Sequence, residues 1–360
     1  MSRNTVARIN LTAIRDNLDR VRSLAPGSRV ACVVKADAYG HGLCNVIPAL
    51  AKTDILAVAT IGEAVRCRDL GWRQRLLMLE GPANREELRE AQSLEAELVI
   101  HHETQLILLR QLERAYPQPL WLKLDTGMHR LGFPVREAKR IHEELRVLSG
   151  GNHPVVLMSH LACADNPSNP MTDAQLALFD TTTQGLEGPQ SLANSAAILN
   201  FPQSRREIVR PGIMLYGVSP CRDRSAESIG IRAAMTLQCE LIAINSVCKG
   251  DSIGYGGEHI CPEDMQVGVA AIGYGDGYPR GLKQGAPVLV NGRRASLIGP
   301  VSMDLTTIDL RGHPEARVGD VVTLWGEGLP VEEVSRWADA IPYELICGVT
   351  ARVRPLIQDG

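Results

Sequence analysis

The sequence predicts an α/β protein in two parts: a (β/α)8 barrel of the TIM type over residues 1–230, followed by a mostly β C-terminal domain over residues 231–360. Three observations carry this reading. Short apolar runs recur eight times with helical segments between most of them, a polar or charged residue follows each run, and beyond about residue 230 the texture changes to alternating segments broken by Gly-Asp turns. A chain of 360 residues also exceeds the size at which one hydrophobic core stops growing.

Taken in order, the chain opens with a short strand and an amphipathic helix, on whose buried face fall Leu11, Ile14, Leu18, Val21 and Leu24, with Asn10 or Thr12 as the N-cap. The apolar runs then cover residues 30–34, 55–59, 76–79, 97–100, 120–124, 155–158, 191–193 and 208–209. Strands apolar at every position need cover on both faces, as in a parallel sheet wrapped by helices. Eight such units close most simply into a barrel, with a doubly wound open sheet as the competing arrangement. At the C-terminal ends of the runs stand Lys35, Thr60, Glu80, His101, Lys123 with Asp125, Ser159 with His160, Asn194 with Ser195, and Arg210. In a barrel these residues share one rim, which is where active sites are built. Past the boundary near residue 230, "VNGR" at 290–293 lies between two apolar runs and reads as a hairpin turn.

Composition narrows the function. Apolar residues make up 44% and charged residues 22%, with a formal net charge of −3, so the chain is globular without a basic stripe for nucleic acid or a polybasic membrane patch. Nine cysteines, an odd count with no C-x-x-C pair, read as reduced thiols. The N-terminus lacks the apolar stretch of a secretory signal and no segment is long enough for a membrane span, so a soluble, cytoplasmic protein is expected. The nine histidines show no H-x-x-x-H spacing, and neither a Walker loop nor a G-x-G-x-x-G after a strand is present. Neither a metal centre nor a nucleotide cradle is expected; small molecules are the expected partners.

The chemistry is expected around "ACVVKADAYGHG", residues 31–42. Lys35 ends an apolar run, where it either snorkels to water or, desolvated by its neighbours, becomes a nucleophilic amine suited to a Schiff base with an aldehyde such as pyridoxal phosphate. Tyr39 and the glycines around it fit a ligand approached by backbone and a phenol that donates to phosphate, although a tyrosine in such a place, taken alone, is more often a packing residue. In "LANSAAI", Asn194 and Ser195 are either a plain N-cap or part of a phosphate site at a helix start. "VRPGIMLYG" places Arg210 and the Gly212–Ile213 turn after the eighth run, close to where barrels bind phosphate; Arg210 could instead serve a structural ion pair. Of seven tyrosines, Tyr39, Tyr255, Tyr274 and Tyr278 lie in glycine-rich loops.

Together, "VVKADAYGHG", "KLDTGMHRLG", "RPGIMLYG", "GYGG", "GYGDGYPRG" and "VSMD", in this order over nearly the whole chain, make the sequence similar to the alanine racemases, pyridoxal-phosphate enzymes that interconvert L- and D-alanine. The resemblance implies that Lys35 is the Schiff-base lysine, and that Tyr39, Ser195, Tyr343 and the backbone of Gly212 and Ile213 hold the phosphate, with Asn194 beside them. It implies that Arg210 faces the pyridine nitrogen with His160 behind it, and that Arg130 reaches the cofactor's phenolic oxygen. Racemisation removes a proton from one face of Cα and returns one on the other, so two bases are needed. The resemblance makes them Lys35 and Tyr255, the latter contributed by the second domain of the partner in a homodimer. It further implies that Arg130, the Met303 amide and Tyr274 meet the substrate, that Tyr274 and Tyr343 form an inner gate, and that Asp165 and Arg280 lie outside it at the entrance. Lys123 matches a lysine that is carbamylated in members of the family. His129 stands in "GMHR" where other members carry glycine. A racemase of broader specificity, a decarboxylase of the same fold and a non-catalytic pyridoxal-phosphate carrier are the alternatives. Arg210 opposes the decarboxylase, and a second domain carrying Tyr255 and Met303 opposes the carrier.

Overall fold

A computed structural model describes residues 4–359. Eight short strands form the barrel: Arg29–Val33, Ile55–Val58, Arg75–Met78, Glu97–Ile100, Leu120–Asp125, Val156–Met158, Gln190–Ser191 and Ile208–Val209. Each pairs in parallel with its neighbour, for example Ala31 with Ile55 and Leu98 with Leu120, and the eighth returns to the first through Ile208 opposite Arg29. Between the seventh and eighth the seam closes on a single parallel bridge, Asn194 to Arg210, supported by the Arg210 amide donating to Ala193 O at 2.8 Å. The seventh strand is only two residues long and starts one residue before the expected run, because the chain beyond it serves the bridge and the following helix cap rather than a ladder.

Side-chain caps start several of the outer helices. Thr60 and Glu63 form a capping box at Ile61–Asp69, Asn84 caps Arg85–Ser93, and Asn194 caps Ser195–Asn200. His102 likewise caps Glu103–Arg110, so the His101–His102 pair lies past its strand and not within it.

An eight-stranded, mainly antiparallel sheet forms the second part. Its long strand Met235–Val247 pairs with Val6–Asn10, Met265–Ala270 and Val321–Trp325. The strand Val6–Asn10 also runs parallel to Arg354–Gln358, so both ends of the chain meet in this sheet. Residues 6–10 were expected in the barrel part and belong to the second. Asn10 then accepts from the Ala13 amide at 2.9 Å and starts the helix Leu11–Leu24, deciding between the two candidate caps. At the expected hairpin, Asn291 and Gly292 both have positive φ, as a two-residue type I′ turn requires, and Val290 pairs with Arg293. One apolar core runs through both parts, so the barrel mouth and the second sheet are held in a fixed relation.

Candidate active site

The first barrel strand ends at Val33, and after Val34 the backbone does something unusual. Ala36, Asp37, Ala38 and Tyr39 all have φ between 52° and 55°, a left-handed turn of four residues none of which is glycine. Such a conformation costs about 1–2 kcal/mol per residue and persists only when its surroundings enforce it. Here Glu63 accepts from the Ala36 amide at 2.7 Å, and Asp37 Oδ1 accepts from the Leu43 amide at 3.0 Å and from Arg66 at 2.8 Å. Gly40 follows, where a Cβ would sit 2.0 Å from Ile346 O, so the helix Pro342–Cys347 of the second part packs directly on the turn. The turn leaves Lys35 at the mouth and buries Tyr39 against Tyr216, ring centroids 4.8 Å apart.

Lys35 lines a cavity of about 620 Å³ at the barrel rim together with Tyr39, Lys123, Arg130, His160, Asp165, Asn194, Ser195, Arg210, Gly212, Ile213 and Tyr343. Most of the expected rim residues thus converge. Thr60 instead caps a helix, and His101 Nε2 bonds to Glu80 O at 2.9 Å.

Four cations share this space, and two of them, Arg210 and Lys123, are buried. Arg210 is 4% exposed; its guanidinium donates to Ser191 Oγ and Ser159 O, both at 2.7 Å, and to His160 Nδ1 at 3.4 Å, none of them a carboxylate. Burial lowers its pKa to about 10, which leaves it charged at neutral pH. Arginine only donates, so His160 Nδ1 accepts; burial first, and then the charge of Arg210, push the His160 pKa down to about 3, keeping the ring neutral.

The desolvated amine expected at Lys35 is found at Lys123. Lys35 is exposed, standing two residues past the end of the first strand, whereas Lys123 lies inside the fifth strand and is 8% exposed. Burial, followed by the charges of Arg210, Arg130 and Lys35, lowers the Lys123 pKa to about 8 against the opposing pull of Asp125. Asp125 is itself engaged, accepting from the amides of Gly127 and His129 and from His129 Nδ1 at 3.0 Å. His129 sits at φ 53°, a position that glycine fills without strain.

The same cavity holds a cradle. Ser195 Oγ accepts from the Gly212 amide at 2.9 Å, tying the helix start at Asn194 to the turn after the eighth strand. A Cβ on Gly212 would come within 2.4 Å of Tyr39 Oη, so only glycine admits the phenol there. Tyr343 approaches from the second part, its ring 6.1 Å from that of Tyr39.

The remaining expected residues lie elsewhere in this chain. Tyr255 is 73% exposed and Met303 54%, and neither they nor Tyr274 and Arg280 line the cavity. Tyr274, Met303 and Arg280 meet on loops of the second part: the amides of Tyr274 and Gly275 donate to Ser302 O and Met303 O, and Arg280 lies over the Tyr274 ring at 5.7 Å. The expected outer pair is accordingly split, with Asp165 at the barrel cavity and Arg280 among these loops. One cavity residue and one residue behind the lysine turn escaped the sequence reading. Cys347 stands four residues after Tyr343, one helical turn away on the same face, which was the available signal. Glu63 reads only as a capping-box residue, and nothing in the sequence marks its bond to the lysine turn.

Comparison with known proteins agrees with this geometry. "Alanine racemase, N-terminal domain" matches residues 9–220 and "Alanine racemase, C-terminal domain" matches residues 234–357. The chain is 49% identical over 348 residues to an alanine racemase of Nitrosococcus oceani, covering 96% of this chain and 97% of that one. It superposes with a TM-score of 0.95 and 43% identity on the crystal structure of the biosynthetic alanine racemase of Pseudomonas aeruginosa, over the full length of both. It also resembles, at TM-score 0.88 and 26% identity over 99% of each chain, an alanine racemase of Bartonella henselae with covalently bound pyridoxal phosphate. Two family matches that together span nearly the whole chain, and a barrel rim of converging amine, guanidinium and phenol groups, lead to one conclusion: the chain belongs to the alanine racemase family and is an enzyme, a racemase.

Proposed function

We propose that the enzyme interconverts L- and D-alanine with pyridoxal phosphate as its cofactor, in the cytoplasm and as a homodimer. The observation that carries this reading is the convergence of Lys35, Lys123, Arg130 and Arg210 on one cavity that also holds the Ser195–Gly212–Tyr39 cradle. That set fits the cofactor: an exposed amine for its carbonyl carbon, cations for its phenolate oxygen, and hydroxyl and backbone groups beside a glycine for its phosphate. Lys35 would hold it covalently through Nζ. Tyr39, Asn194, Ser195, Gly212, Ile213 and Tyr343 would enclose the phosphate, Arg130 would meet the phenolate, and Arg210, oriented by Ser191, Ser159 and His160, would meet the ring nitrogen. When bound, pyridoxal phosphate supplies an electron sink that acidifies the Cα proton of an attached amino acid.

Within that frame Lys35 moves a proton on one face of Cα and a second acid/base group serves the other. Tyr255 takes this role from a second copy of the chain, which also brings the Met303 amide to the substrate carboxylate and Tyr274 and Arg280 to the entrance across from Tyr343 and Asp165. The exposure of Tyr255 and Met303, outside the cavity of their own chain, supports the sharing of sites between subunits. No helix among the described residues is long and apolar enough to cross a membrane, and nine free cysteines suit a reducing compartment.

The cofactor assignment is tested by borohydride reduction of protein loaded with pyridoxal phosphate, followed by digestion and mass spectrometry. The pyridoxyl label is expected on Lys35; a label concentrated on Lys123 would overturn the assignment.

Lys123 we assign as the site of a carbamate. A neutral amine attacks carbon dioxide, forming one N–C bond, opening one C–O π bond and releasing one proton, and the new anion would pair with Arg130. With a pKa of about 8, the reactive neutral fraction of Lys123 grows as pH rises through that value, two units or more below the range of an ordinary lysine. Removing carbon dioxide from buffers at pH 7 is expected to lower kcat by about 10-fold or more, the scale of losing one oriented charge, with recovery on adding bicarbonate. Activity indifferent to bicarbonate, with no matching change in intact mass, contradicts the assignment.

A further inference from the structure

Tyr255 is carried on an excursion of the second part, residues 248–264, between the paired strands Met235–Val247 and Met265–Ala270. The excursion has its own two-stranded sheet, separate from the eight-stranded one, in which Ser252–Ile253 runs against His259–Ile260 and Ile253 faces His259. Tyr255 lies in the loop between these two strands. Beneath them Ile253 and Cys261 pack with Met265, Val267 and Ile298 in a small apolar cluster distinct from the main core. A segment with so few apolar contacts depends on polar ties for its position.

One such tie is made at a buried ring. His259 is 7% exposed, and its Nδ1 lies 2.6 Å from Gln284 Nε2. An amide nitrogen only donates, so Nδ1 accepts and Nε2 carries the hydrogen of the neutral ring. Nε2 has no partner among the described residues, so without Gln284 the buried imidazole loses its side-chain bond altogether. Gln284 is itself held from both sides: the Lys283 amide donates to Trp337 O at 3.1 Å and the Gly285 amide to Leu297 O at 2.9 Å. The same loop carries Arg280, which donates to Val301 O at 2.9 Å, two residues before Met303. Next to Tyr255, Gly254 has a φ of 75° and passes so near Pro300 that a Cβ would stand 3.0 Å from its Cδ. The segments bearing Tyr255, Arg280 and Met303 are therefore tied to one another.

We propose that Gln284 is a positioning residue for Tyr255: through His259 it fixes the loop that presents the phenol to the Cα of alanine bound to the other subunit. This deepens the proposed function and rests on it.

Tyr255 would serve one face of Cα and Lys35 the other, so a displaced phenol slows removal of the Cα hydrogen from one enantiomer only. Gln284→Ala is expected to lower kcat/KM about tenfold in both directions, as the equal stability of the enantiomers requires, a smaller loss than that of a full 1 Å misplacement. Relative to the parent, the Cα-deuterium isotope effect on kcat/KM is expected to rise for one enantiomer of alanine and not for the other. A merely structural role would lower the amount of active enzyme and leave both isotope effects where they were. Gln284→Asn, one methylene shorter, is expected to behave like Gln284→Ala and carries the test if that variant fails to fold. Gln284→Glu, whose carboxylate accepts from Nδ1 once the ring hydrogen moves there, is expected to stay within about twofold of the parent. Unchanged isotope effects, an equal rise for both enantiomers, or a Gln284→Glu loss as large as that of Gln284→Ala overturns the positioning role. A Tyr255→Phe variant that racemises at the parent rate overturns the proposed function itself, which separates the two failures.

Discussion

Replacing Lys35 with alanine is expected to lower kcat for alanine racemisation by at least about 10⁴-fold, because the change removes both the covalent anchor of the cofactor and one of two proton-transfer groups. The fold should survive. Lys35 is exposed, its side chain is outside the core, and the left-handed turn after it is held by Glu63, Asp37 and Arg66 rather than by the ammonium. A parent-like circular dichroism spectrum together with lost activity separates chemistry from unfolding. Added methylamine, which can enter the space left by the side chain, is expected to restore part of the proton transfer. A variant that keeps more than about one hundredth of the parent rate is incompatible with Lys35 as a base, since general-base losses run to 10²-fold or more.

Mixing two inactive variants is expected to regenerate activity. Lys35→Ala and Tyr255→Phe should each be nearly inactive as homodimers, because every site lacks one base. If each site takes Lys35 from one subunit and Tyr255 from the other, a mixed dimer holds one site with both substitutions and one with neither. Random exchange of subunits in equal amounts makes half the dimers mixed, so activity should recover to about one quarter of the parent value. No recovery, with subunit exchange verified by mass spectrometry, would place both bases in one chain. The structure makes that second result hard to reconcile, because Tyr255 is 73% exposed and outside the cavity that contains Lys35.

The barrel was legible because its strands are buried on both faces and so read as unbroken apolar runs, each ending in a polar residue at the mouth. The eighth strand, only two residues long, was placed correctly by Arg210 and its turn more than by its apolar content. Residues 6–10 were assigned to the wrong part because an alternating strand carries no mark of its partner, and its partners are more than 200 residues away in sequence. Burial was misjudged in the same way. The run 30–34 suggested a desolvated lysine at its end, but whether an amine is enclosed depends on where the strand stops relative to the rim. Lys35 lies past it and is exposed, whereas Lys123 lies within its strand, where burial lowers its pKa to about 8. The left-handed turn 36–39 was invisible, since alanine, aspartate and tyrosine do not announce positive φ as glycine does.

The central claim, two-sided proton transfer at Cα, is tested most directly by incubating the cofactor-loaded enzyme with L-alanine in D₂O and following enantiomer ratio and Cα deuterium together. The expected result is movement toward equal L and D, with deuterium at Cα of the D-alanine formed. Retention of both the L configuration and the Cα proton, in protein whose cofactor is bound and reducible by borohydride, would contradict it.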